Sequence, residues 1–504
     1  MTFRPRAWIL PAILALGLAL RLWVAAHVAV IAGDGITRIG LAKVFRDRGL
    51  EAGLEACLVP GYHPFNPILI RLLGALTGDL ERSAVAVSLG FGILGILGVF
   101  LLVREAWGER EAHLAALFWA LLPNAVAYSA DVLTEGQFLA FWVFTAWSGL
   151  VALKGRGRGW ALLAGALAGL AYETRPEGTG IVLALGVALA CLAWRDRRSG
   201  AGRRVLQAAL LGTGFLCMAL PYLWHLRQAK GEWMLTPHKS VLNLLTRRKS
   251  VWNPPAPALQ DAPASTLRGR TALVEYSELV RKGVRSVTPW MAALAFLGLW
   301  KRRPWGAGGI FLLGLAALHA AVVLRLFQTA GYASHRHFMT LAVPAVAWGA
   351  AGGAWGLAAL LGRGRRAWAL GAGLVLCAAL LAEACQPVRA DKAYRRDFGL
   401  WLAAHAEPDA WVATLVKPEI PYYARRRGLD WSAAPAYYLD RPDARQLPQL
   451  LVLDLDTGDR RWAGAAAAHP QFSRVPLPAP HDGRFAVFRR DWASVRTHPI
   501  IRAP

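Results

Sequence analysis

The sequence predicts an α-helical polytopic membrane protein of about eleven transmembrane helices, carrying a small C-terminal extracytoplasmic α/β domain. Three observations lead there. Of 504 residues, 55% are hydrophobic, only 18% are charged and 22 are tryptophan, which is more apolar material than a soluble core of this size takes up. The apolar residues gather in separate runs near 8–31, 84–103, 112–128, 132–152, 160–172, 178–194, 205–225, 288–300, 307–326, 338–361 and 367–384. With a cytoplasmic N-terminus, the segments on the inside are all short and most are strongly basic: "MTFRPR", "REAWGERE", "KGRGRG", "WRDRRSGAGRR", "KRRPWG" and "GRGRR", within a net charge of +25. That is the pattern of cytoplasmic loops. It argues against nucleic acid as the partner, since no zinc-finger spacing or aromatic-basic platform accompanies the charge.

Taken in order, the first run is long and lacks a clear small-residue cleavage site, so it reads as a retained anchor rather than a signal peptide. It ends at "VAVIAGDGITRIG", which presents Asp34 at its exit. A long external loop, 32–83, follows, containing "GYHPFNPILIRLLG" with His63. Several later runs are shorter than the about 20 residues that cross a bilayer, so tilt, flanking residues or local thinning must make up the rest. The second external loop, 226–287, holds two amphipathic pieces around a Pro-rich stretch. Its Lys239, Arg247, Arg248 and Lys249 could attract anionic headgroups or lie on an interfacial helix. Eleven crossings from a cytoplasmic N-terminus leave the region after 385 outside, so the domains are 1–384 and 385–504. In the tail, "FGLWLAAHAEPDAWVATL" reads as helix, turn and strand, while "QLLVLDLD" at 449–456 and "RFAVFRR" at 484–490 read as strands. No P-loop or dinucleotide fingerprint occurs there, and Asp454 and Asp456 read as strand-end polar residues. The five cysteines form no C-x-x-C pair; Cys57 and Cys385 alone fall outside, where a disulfide between them could form.

Ionisable residues recur at the external ends of the runs. Beyond Asp34 and His63 there are Asp131 and Glu135 in "NAVAYSADVLTEGQF", four apart and so on one face of a helix that includes both. "AYETRPEG" places Glu173, Arg175 and Glu177 in a turn that Pro176 breaks. "GYASHRHFMTLAVP" brings His335, Arg336 and His337 to the entrance of the tenth run. Any one of them can be a helix-end anchor; below the headgroups, Asp131 and Glu135 would be costly without a task.

The ordered series "RLWVAAHVAVIAGDGITRIGLAKVFRDRG", "HPFNPILIRLLGALTG", "LLPNAVAYSADVLTEGQFLAFWVF", "LAGLAYETRPEG" and "SHRHFMTLAVP" resembles the GT-C superfamily of polytopic glycosyltransferases. Within it, the protein-mannosyltransferase-like and aminoarabinose-transferase-like enzymes (families 39 and 83) are the nearest in pattern. The resemblance covers about 1–384; the tail matches only in position. It implies transfer of a monosaccharide from a polyprenyl-phosphate-linked donor to a lipid, polysaccharide or protein hydroxyl, on the extracytoplasmic face of the plasma membrane, the bacterial inner membrane. Asp34 matches the catalytic carboxylate of the first external loop, and Arg336 the basic position before a late span that contacts donor phosphate. Arg175, His335 and His337 group with Arg336, while His63, Asp131, Glu135 and Glu173 would orient sugar or acceptor. Two departures stand out. Gly35 follows Asp34 where many protein mannosyltransferases pair Asp with Glu, and "HPF" replaces the usual "HPP".

The implied chemistry is sound by itself. A carboxylate can activate a hydroxyl, Arg or His donors can stabilise a departing phosphate, and one base with a good leaving group favours displacement with inversion. No cofactor is required; the carboxylates allow a divalent metal ion without any ligand spacing that demands one. A transporter or lipid-linked-sugar flippase is the rival class, although interrupted spans repeated across two halves are not evident. A membrane scaffold would leave the boundary carboxylates without a task.

Overall fold

The computed structural model describes residues 7–195, 200–237, 239–240, 272–302, 305–330, 333–407, 411–414, 418–425, 427–430, 450–457, 460–468 and 472–490. Arg247, Arg248 and Lys249 lie outside them, as does the side chain of Lys239. The chain divides into two units: 1–28, 38–250 and 271–388 form the first, and 29–37, 251–270 and 389–504 the second. Residues 29–37, which the expected division into 1–384 and 385–504 places with the helices, group with the second unit.

The first unit runs α1 (Ile9–Ala26), α2 (Gly33–Leu58, whose first turn belongs to the second unit), α3 (Phe65–Thr77), α4 (Leu80–Trp107), α5 (Glu109–Leu121), α6 (Pro123–Ala130), α7 (Glu135–Leu153), α8 (Gly159–Thr174), α9 (Gly178–Arg195) and α10 (Ala201–Lys230). A short ribbon, β1 (Met234–Thr236) with β2 (Lys239–Ser240), precedes α11 (Ala272–Val287), α12 (Pro289–Lys301), α13 (Gly306–Ala330), α14 (Met339–Gly362) and α15 (Arg366–Ala384). Each of the eleven expected runs contains helix, although the first ends at Ala26 rather than at 31 and the fourth begins at Glu135 rather than at 132. Among the described residues eight helices are long and apolar enough to cross a membrane, or nine if the bent pair α5–α6 is one span. The other two runs, α8 and α12, have 16 and 13 residues. At about 1.5 Å per residue they fall short of a hydrocarbon core about 30 Å thick. The α5–α6 pair bends by 57° where Pro123 removes a backbone donor and its ring crowds the preceding turn. Arg21 of α1 braces the bend: it donates from Nη1 to the carbonyls of Gly17 and Ala120, both at 3.1 Å, and from Nε to Ser129 Oγ at 2.8 Å.

Helix α7 is the core of this unit, with 72% of its apolar window buried against 17% for α15. Helices α8 and α10 touch backbone to backbone: a Cβ at Gly165 would lie 2.0 Å from Leu211 O, and one at Gly214 2.2 Å from Leu162 O. Small residues permit such approach where lipid supplies no hydrophobic drive. The five cysteines are free thiols, so the Cys57–Cys385 disulfide is not formed.

In the second unit, α16 (Ala393–His405), β3 (Trp411–Thr414), α17 (Glu419–Tyr423), β4 (Arg427–Asp430), β5 (Leu450–Asp454), α18 (Arg460–Ala468), β6 (Phe472–Val475) and β7 (Phe485–Arg490) build a five-stranded sheet ordered β4-β3-β5-β7-β6. The first two pairings are parallel and the last two antiparallel. Leu450 and Val452 pack with Phe398 and Leu402 of α16, whereas Leu451 and Leu453 pack with Ala466 of α18. A strand covered on both faces has no polar alternation to keep, hence the unbroken "LLVLD".

Candidate active site

Glu135 opens α7, where a carboxylate suits the positive end of the helix dipole, yet its side chain is only 2% exposed. Two guanidiniums permit that burial. Arg175 ends α8 in extended conformation and donates from Nη1 to Glu135 Oε1 at 2.5 Å. Arg336 donates from Nε to the same oxygen. Glu135 Oε2 is buried and has no hydrogen-bond partner. Arg175 also forks around Glu177, with Nη2–Oε1 at 3.0 Å and Nε–Oε2 at 3.3 Å. Burial alone would raise the Glu177 carboxyl, but the charge and hydrogen bonds of Arg175 prevail and hold it down to about 2. The turn between α8 and α9 is tight because Gly178 lies where a Cβ would be 2.3 Å from Tyr172 N. Arg38 supplies a third positive charge acting on Glu135; it donates to Thr134 Oγ1 at 3.4 Å and stacks over Tyr62 at 4.4 Å.

His63 is buried beside this group, with ring centroids 4.9 Å from Tyr172 and 5.1 Å from Tyr222. Neither ring nitrogen has a hydrogen-bond partner, and burial pushes its pKa down to about 3, so the imidazole is neutral. Asn66, three residues on, donates to Gln137 Oε1 at 2.9 Å. Glu173 is buried in the last turn of α8, and its Oε1 is unpartnered.

Other expected residues have different surroundings. Asp131 and Glu135 do not share a helical face, because α6 ends at Ala130 and α7 begins only at Glu135; Asp131 is extended and accepts from Val132 N at 2.7 Å. His335 and His337 belong to a 3-10 turn, His335–Phe338. His335 Nδ1 meets Ser286 Oγ at 3.0 Å, and His337 Nδ1 accepts from Ser334 N at 3.1 Å, closing a capping box. Of the three, Arg336 reaches Glu135. Asp34 is half-buried in the first turn of α2, within the second unit. Sequence reasoning missed Arg38, Asn66, Tyr172, Tyr222 and Gln137. Arg38 carried a signal, standing one helical turn after Asp34. Among the described residues no group of three or more His, Cys, Asp or Glu is arranged to hold a metal ion.

The architecture is shared with solved membrane-protein structures, and part of the chain matches a family model. Residues 59–225 match the family model for dolichyl-phosphate-mannose-protein mannosyltransferase. ArnT from Cupriavidus metallidurans bound to undecaprenyl phosphate superposes with a TM-score of 0.59 at 16% identity, covering 95% of this chain and 97% of that one. Its apo form gives 0.61 at 16% identity, covering 96% and 98%. The Archaeoglobus fulgidus oligosaccharyltransferase in its apo form gives 0.56 at 14% identity, covering 92% and 71%. No curated protein matches the chain.

Proposed function

We propose that the protein is a glycosyltransferase that moves a monosaccharide from a polyprenyl-phosphate-linked donor to an acceptor hydroxyl on the extracytoplasmic side of the membrane. The observation that carries this reading is the convergence of guanidiniums on Glu135. Arg175 and Arg336 both donate to Glu135 Oε1, Arg38 adds a third positive charge acting on that carboxylate, and Arg175 also holds Glu177, all at the ends of apolar helices. Clustered guanidiniums with directed N–H donors suit a phosphate. The match to the mannosyltransferase family model and the likeness to ArnT with undecaprenyl phosphate point the same way.

Asp34 takes the proton of the acceptor hydroxyl as its oxygen bonds to the anomeric carbon; the bond from that carbon to the phosphate oxygen breaks, and polyprenyl phosphate leaves with the electron pair. The displacement inverts the anomeric centre. Arg175 and Arg336 stabilise the phosphate as its charge grows, and the neutral imidazole of His63 orients the donor. No step requires a metal ion.

Purified, reconstituted protein incubated with defined lipid-linked sugars and envelope extracts should yield a glycosylated product and free polyprenyl phosphate, both seen by mass spectrometry. Asp34→Asn should remove about 10²- to 10⁴-fold of the rate, the usual worth of a general base, while the protein stays folded and inserted. Movement of intact donor between leaflets with no covalent product would establish a flippase instead. The topology has its own test: in a cysteine-free background, Asp47→Cys and Asp459→Cys should both react with an impermeant thiol reagent in intact cells. Protection of both until permeabilisation would reverse the orientation.

A further inference from the structure

The residues between α1 and α2 have no regular structure from Val28 to Ala32, so their backbone groups need partners from elsewhere. Residues of the C-terminal region supply them, one peptide group after another. Arg396 Nη1 donates to Ala29 O at 2.9 Å, Arg389 Nη1 donates to Val30 O at 3.3 Å, and Ile31 N donates to Tyr423 Oη at 3.0 Å. The partners are 359 to 392 positions apart in the chain. Two residues later Gly33 is pressed on α17: a Cβ there would stand 3.1 Å from Pro418 Cγ and 3.5 Å from Glu419 Oε1. The Ala32 carbonyl then accepts from Ile36 N at 2.9 Å and the helix begins, with Asp34 in its first turn.

From this geometry we infer that the C-terminal domain is a clamp that sets the backbone position of Asp34, with Arg389, Arg396 and Tyr423 as its positioning residues. All three side chains address main-chain atoms, so the clamp fixes where the loop lies without depending on which side chains occupy 29–31. Arg389 itself has φ of 56°, a left-handed conformation uncommon for arginine, and strain of this kind persists where surroundings over-determine it. The inference rests on the catalytic role proposed for Asp34. Given that role, a clamp three residues away acts on rate, because a misplacement of about 1 Å at a reacting group can cost about 10²-fold.

Tyr423→Phe removes one oxygen and leaves the ring, so it tests the clamp with least harm to the fold. Amide exchange over 29–36 in reconstituted wild-type protein should be slow, and in Tyr423→Phe and Arg396→Ala at least about tenfold faster. In transfer assays both variants should lose roughly 10- to 100-fold in kcat, with KM for the lipid-linked sugar unchanged. Arg396→Lys, which can still reach Ala29 O, should recover part of kcat. A merely structural role would lower the yield of folded protein but leave kcat per folded molecule intact, and that result overturns the inference. So does unaltered exchange over 29–36. Asp34→Asn serves as the control: if it retains turnover, the catalytic reading fails, and the exchange measurement still decides whether the clamp exists.

Discussion

Glu135 and Asp454 are both buried carboxylates held by arginine, and they are solved in opposite ways. Asp454, at the end of β5 and fully buried, uses both oxygens: Oδ2 accepts from Arg395 Nε at 2.9 Å and Tyr394 Oη at 3.0 Å, while Oδ1 accepts from Asp456 N at 3.2 Å. Arg395 reaches Glu419 as well, at 3.7 Å. Glu135 crowds Arg175 and Arg336 onto Oε1 and leaves Oε2 without a hydrogen bond. A carboxylate whose oxygens are all engaged fixes a fold. One that gathers donors on one oxygen and leaves the other idle is suited to something that comes and goes, and removing a partner should have different consequences in the two places.

The largest effect on stability is expected where satisfaction is complete. Arg395→Ala strands a fully buried carboxylate and should cost the second unit about 3–5 kcal/mol, seen as protease sensitivity of the tail in detergent. Arg336→Ala leaves Glu135 still paired with Arg175, so its stability cost should be smaller and its main effect should be on transfer, about 10²-fold, as for loss of one oxyanion donor. Reversed outcomes, with Arg336→Ala unfolding the protein and leaving kcat/KM intact in what survives, would make the Glu135 group another structural brace.

How much of this was legible in sequence follows the range of the interactions. Apolar runs declare themselves locally, so eleven helical segments were visible and Pro176 marked the Arg175–Glu177 turn, whereas α2 and α3 fell within what was read as an external loop. The number of spans was less secure, because whether 13 or 16 residues cross a bilayer depends on tilt and neighbours that no local pattern encodes. Glu135 and Arg336 are 201 positions apart; each was noticed as a helix-end charge, but their pairing belongs to tertiary structure. Asp131 misled for a local reason: a four-residue spacing puts side chains on one face only inside one helix, and here a break intervenes. His335 and His337 were grouped with Arg336 as phosphate donors, and what the sequence did not show is that His335 Nδ1 meets Ser286 and His337 Nδ1 meets Ser334. The association of 29–37 with the tail had no sequence signal, since the clamp takes hold of backbone.

The smallest predicted effect sharpens the comparison from the side of pH. Glu177 is held down to about 2 by Arg175, so its charge stays constant through the neutral range and donor binding should not track its titration above about pH 4. His63 is the contrasting case: burial lowers its pKa from 6.5 to about 3, and its closest rings, Tyr172 and Tyr222, offer no charge to hold a proton. The sign follows from linkage. The unfolded chain takes up a proton near 6.5 while the folded chain refuses it until near 3, so His63 weakens the fold progressively as pH falls through that window, by about 1.4 kcal/mol per pH unit at most, and costs nothing above it. His63→Phe keeps an aromatic ring between the two tyrosines and removes the proton site. Its thermal stability should therefore fall less steeply than the parent's between pH 6.5 and pH 5, with the two converging in slope above pH 7. Equal acid slopes would mean that His63 takes up a proton in the folded protein, with Glu177 or an incoming anionic group as its partner, and would move it from the neutral wall of the site into the charged cluster.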